Sequence, residues 1–149
     1  WTQIEIYQWG QGKFTEVWQG LIRDFDASIP EYNWSANVQI VDLNQDGIRE
    51  IVRIGNMELP EGEQWKNRET FFWNKDFNYY IQHTARITKD TTAEEVDGES
   101  VSIPSGTVVG FLTEDYGEGS VSVVLPDGRI VSVDKGVLEK IRSEDEQGR

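Results

Sequence analysis

The chain has 149 residues, 27 of them acidic and 14 basic, with a formal net charge of −13 and no cysteine. That length suits one ordinary domain or two small ones. The acidic surface argues against nucleic acid as a partner, and the missing thiols remove disulfides, thiol catalysis and thiolate metal sites. No stretch approaches the roughly 20 apolar residues of a membrane span. The chain opens on Trp1 rather than Met, as expected of a processed protein or a fragment of a larger one.

Taken in order, the first elements alternate in the manner of strands. Ile4 to Trp9, the turn Gly10-Gln11-Gly12 and Lys13 to Trp18 predict a β-hairpin. Ala36 to Val41 and Ile51 to Ile54 predict two strands flanking an aspartate-rich loop. Thr70 to Trp73, the turn Asn74-Lys75-Asp76 and Phe77 to Ile81 predict a further hairpin. Its Phe71-x-Trp73…Phe77 pattern echoes Tyr7-x-Trp9…Phe14, a faint repeat of the blade type.

Aromatic usage then changes. All six tryptophans precede residue 80, and beyond Tyr80 only Phe111 and Tyr116 are aromatic. Two cores of different composition predict two parts, 1–84 and 85–149. In the second, residues 89–100 read as a solvated acidic loop. Ser105 to Leu112, Ser120 to Leu125, Arg129 to Val133 and Val137 to Ile141 read as strands, with turns at Asp115–Gly119 and Pro126-Asp127-Gly128. Ser143 to Arg149 reads as a frayed polar tail. No segment has the length and 3.6-residue period of a helix. The expected fold class is all-β, a blade-like antiparallel sheet beside a small barrel.

The aspartate loop is the most informative segment. Asp42, Asn44 and Asp46 place oxygen-bearing side chains at alternate positions, and Gly47 permits the sharp bend that would wrap them round a hard cation. Ile48 would add a carbonyl oxygen and Glu50 would complete the cage, making calcium the expected cofactor. The competing reading is an empty Asx-rich turn in which Asp and Asn cap their own backbone. An EF-hand is ruled out, because Arg53 stands where that loop needs a bidentate Glu and the flanks are strands.

The run Ile40-Val41-Asp42-Leu43-Asn44-Gln45-Asp46-Gly47-Ile48-Arg49-Glu50-Ile51-Val52 resembles the calcium loop of FG-GAP, or integrin-like β-propeller, repeats. The resemblance covers about residues 1–80. It implies a calcium-braced blade, with Asp42, Asn44, Asp46 and Glu50 as side-chain ligands and Ile48 as a carbonyl ligand. One blade is not a whole propeller, so its faces would be covered by the rest of the chain or by a partner. Residues 85–141, through Gly106 to Leu112, Val121 to Val124, the Pro126-Asp127-Gly128-Arg129 turn and Val131 to Val133, resemble a bacterial SH3-like barrel. That family often binds cell-wall peptides, but serine and valine stand here where its tryptophan usually does.

Catalysis finds little support in this pattern. His83 is the only histidine, so no histidine zinc cluster can form. Nothing in the spacing of the acidic residues selects a hydrolytic pair. Trp34 and Trp65 lack clean strand alternation and are the candidate ligand-binding aromatics. The expected function is a calcium-stabilised, non-catalytic binding or structural module of a secreted or cell-surface bacterial protein, with a protein or glycan partner. The alternatives are a carbohydrate-binding module using exposed tryptophans and a small hydrolase.

Overall fold

The computed structural model describes residues 2–26, 29–58, 62, 64–95, 97–114 and 119–141. It is all-β, built from antiparallel strands, with no α-helix among the described residues. The chain forms two compact units, Trp1–Trp73 and Asn74–Arg149.

The first unit is a meander of β1 (Thr2–Gly10), β2 (Lys13–Asp26), β3 (Ile29–Val41), β4 (Glu50–Glu58) and β5 (Gln64–Asn74), each paired with the next in sequence. The β1–β2 hairpin closes where Gly10 pairs with Lys13. Its two turn residues, Gln11 at φ 52° and Gly12 at φ 76°, are both left-handed, the conformation whose twist matches a two-residue hairpin.

One sheet face carries large rings over small residues. Trp18 and Trp34 are buried, and a Cβ added at Gly20 would lie 2.4 Å from Trp18 Cη2. At Gly55 the same addition would lie 2.8 Å from Trp34 Nε1. The missing side chains therefore make room for the indoles. Beside them Arg53 and Glu69 face each other across β4 and β5, and both are buried. Arg53 Nε and Nη2 donate to Glu69 Oε1 at 2.9 and 2.6 Å, and Nη1 donates to the Leu21 carbonyl at 3.3 Å. The guanidinium also lies 5.6 Å from the centre of the Trp34 ring and 5.7 Å from that of Phe71. A charge taken out of water is tolerable here because hydrogen bonds and ring faces replace its hydration.

The second unit contains β6 (Tyr79–Ile81), β7 (His83–Ile87), β8 (Thr91–Glu95), β9 (Ser100–Ile103), β10 (Val108–Glu114), β11 (Ser120–Val124), β12 (Ile130–Asp134), a 3-10 turn (Lys135–Val137) and β13 (Leu138–Lys140). Seven strands run in the order β13-β7-β10-β11-β12-β8-β9. Alternate residues such as Val121, Val123, Val131 and Val133 point into one aliphatic core with Ile87, Ile103 and Val109. Asp134 caps the 3-10 turn by accepting from the Gly136 N–H at 2.7 Å.

Three details differ from the sequence expectation. The division falls at Trp73/Asn74 rather than 84/85, and Ile81 packs against β10 and β11 on the face opposite the aliphatic core. A Cβ at Gly110 would lie 2.6 Å from Ile81 Cγ2 and 2.7 Å from Val124 Cγ1. Segment 89–100 is not all loop: Thr91 to Glu94 pair with Ile103 to Ser100, and buried Ala93 and Val101 anchor this hairpin in the core. The echo between the two aromatic patterns does not extend to environment. Trp9 and Phe14 are exposed, whereas Phe71 and Phe77 are buried. The turn expected at Asp115–Gly119 and the tail from Ser143 fall, except for Gly119, outside the described residues.

Candidate metal centre

The register of β3 and β4 builds the loop. Ile40 pairs with Ile51 and Val41 with Glu50, so the stem closes at Val41/Glu50 and the segment 42–49 projects from it. Two left-handed residues, Gln45 at φ 60° and Gly47 at φ 88°, fold the segment back on itself. The short polar side chains then meet backbone donors. Asp42 Oδ2 accepts from Gly47 N at 2.8 Å, Asp42 Oδ1 from Asp46 N at 3.2 Å and Asn44 Oδ1 from the same N–H at 3.3 Å. Asp46 Oδ1 accepts from Ile48 N at 2.8 Å, and Glu50 Oε2 from Leu43 N at 2.7 Å.

This curl brings one carboxylate oxygen from each of Asp42, Asp46 and Glu50 within 4.8 Å of one another. Asn44 and Ile48 lie in the same loop with exposed side chains, Asn44 turned toward the Asp46 N–H and Ile48 held through its own N–H. Glu50 is only 3% exposed, yet among the described residues no Lys, Arg or His pairs with it. Three crowded carboxylates, one buried, repel each other, and a divalent cation removes that repulsion. The donors are all oxygen, which suits calcium or magnesium rather than zinc or copper.

The other candidate residues fall elsewhere. Trp34 is 4% exposed and packs over Gly55 beside Arg53, so it presents no open stacking surface. Trp65 pairs with Met57 in β5, and its side chain lies outside the described residues. His83 stacks on Phe111 with centroids 4.6 Å apart and planes 12° from parallel, and its Nδ1 lies 3.0 Å from the Thr84 carbonyl oxygen.

No family model, curated protein or solved structure matches this chain.

Two features escaped sequence reasoning. Glu95, Asp97 and Glu99 form a second close carboxylate group, the i, i+2, i+4 signal of a tight hairpin turn. Arg129 Nε stands 3.7 Å from Glu95 Oε1, so this group already has a cation beside it. The second feature is the exposed ring pair Trp9 and Phe14, with centroids 4.8 Å apart. Its signal was the alternation Tyr7-x-Trp9 leading straight into a glycine turn, which puts both rings at a hairpin tip.

Proposed function

We propose that this chain is a calcium-stabilised, non-catalytic binding or structural module of an extracellular or cell-surface bacterial protein. The observation that carries the reading is the convergence of Asp42, Asp46 and buried Glu50 with no cationic side chain paired to Glu50 among the described residues. Asp42, Asp46 and Glu50 would hold the ion, with Asn44 and the Ile48 carbonyl completing an oxygen cage. The strand-loop-strand setting supports the likeness to an FG-GAP-type loop, and the site then braces the β3–β4 turn. Millimolar calcium outside cells fills sites of modest affinity, which supports an extracellular setting. The short strands of the second unit surround one aliphatic core, and β7 pairs with both β10 and the last strand β13. That pairing of the last strand with β7 supports the small, SH3-like barrel reading.

The test is calorimetric titration of calcium into EDTA-stripped protein, with Asp46→Ala as the control. One site abolished by the substitution is expected. No heat at millimolar calcium from a folded protein would remove the metal assignment.

A further inference from the structure

Large exposed rings are costly in water and gather where a partner covers them. Trp9 is 62% exposed and Phe14 68%, and Tyr7 is 49% exposed on the same hairpin. They share one face: Trp9 pairs across the hairpin with Phe14, and Tyr7, two residues from Trp9, pairs with Glu16. Lys13 is adjacent to Phe14 and so lies on the opposite face.

The rim of this face is anionic. Tyr7 Oη donates to Glu5 Oε2 at 2.8 Å, and Gln3 Nε2 donates to Glu5 Oε1 at 2.8 Å. Those two hydrogen bonds, Tyr7 first, hold the Glu5 carboxyl below its ordinary range, so it stays ionised. Glu5 and the field of Glu16 in turn push the Tyr7 phenol up, keeping its proton. The Trp9 and Phe14 planes stand 61° apart. Inclined rings do not make the flat platform that a sugar stacks on. Packed edge to face, they leave their outer π-faces open, and those suit a cation.

The chain's charge of −13 disfavours a second copy as occupant and favours a basic one. The fold supplies the rest: among the described residues β1 is the end strand of its sheet, which leaves one row of its backbone N–H and C=O groups for an added strand.

We propose that the β1–β2 hairpin docks an extended protein segment carrying Arg or Lys. The segment's backbone lies along β1, and a cationic side chain lies against the exposed ring faces at Tyr7 and Trp9, beside Glu5 and Glu16. This deepens the binding reading above but uses no residue of the calcium loop, so titrations in EDTA and in calcium separate the failure of one from the failure of the other.

The probe is the acetylated, amidated peptide Gly-Arg-Val-Arg-Val-Gly, titrated calorimetrically into the whole chain at low salt. Its comparison is the same peptide with citrulline, neutral and nearly isosteric, in place of arginine. Saturable binding of the arginine peptide alone is expected in both buffers. Trp9→Ala and Phe14→Ala, both at exposed positions, should each weaken it by about tenfold or more. Glu5→Gln should weaken it roughly threefold and flatten its salt dependence, while Glu139→Gln, the same charge change on exposed β13, leaves it unchanged. Equal binding of the citrulline peptide would overturn the proposal. So would no binding by a folded protein at millimolar peptide, binding of a β-1,4-linked tetrasaccharide in its place, or sedimentation showing a dimer that Trp9→Ala dissociates.

Discussion

Calcium removal should unfold the first unit at a lower temperature, by an amount that follows from linkage. Modest extracellular sites have dissociation constants of about 0.1–1 mM, so 10 mM calcium should stabilise by roughly 1.4–2.7 kcal/mol. For a small unit such as Trp1–Trp73, this corresponds to a melting shift of about 6–20 °C. All six tryptophans fall within that unit, so tryptophan fluorescence during heating reports on it alone. A Glu50→Gln variant sharpens the test. It keeps an oxygen for the Leu43 N–H but removes one of three crowded carboxylates. In EDTA it should be at least as stable as the parent, and in calcium less stable, a reversal of sign. An empty Asx turn predicts no calcium shift in either protein, and that result would exclude a calcium site in this loop.

The buried ion pair gives a second prediction: Glu69→Ala strands the Arg53 charge and should cost about 3–5 kcal/mol in urea unfolding. The double replacement Arg53→Met with Glu69→Leu should recover most of that loss, because no unpaired charge remains. Gly20→Ala pushes a methyl group into the Trp18 indole and should cost about 1–3 kcal/mol, with the indole resonance of Trp18 displaced in NMR spectra. Tyr7→Phe removes the main hydrogen bond that lowers the Glu5 carboxyl, so its NMR-observed pKa should rise toward the ordinary value. The sign follows from linkage. A lowered folded pKa contributes stability above the unfolded pKa and loses it as pH falls through the folded one, so the variant should show a weaker acid dependence.

Much of the fold was legible because local chemistry and tertiary outcome agree in it. Alternation marked β1, β3, β4, β11 and β12, and the glycine turn marked the first hairpin. The aspartate loop was legible for the same reason: Asp42, Asp46, Gly47 and Glu50 act within one short segment, so spacing alone brings them together. Segment 91–95 was missed because Thr91-Thr92-Ala93-Glu94-Glu95 carries a single apolar residue. Its strand exists through pairing with β9 and β12 and the burial of Ala93.

The fates of the tryptophans and of the charges were decided by tertiary structure. Trp34 and Trp9 are the same side chain, both in strands, yet one is buried and the other exposed. The difference is Gly55 and Arg53, which β4 brings under and beside Trp34, while nothing among the described residues covers the hairpin tip at Trp9. Nothing in the spacing of Arg53 and Glu69 pairs them, and the β4–β5 register is what sets them opposite each other. The strand class, the hairpin turns and the loop that gathers carboxylates follow from local sequence, since each is a contest among neighbouring residues. Which rings are core, which are open to a partner and which charges are buried depend on register between distant strands, and only the folded sheet sets that register.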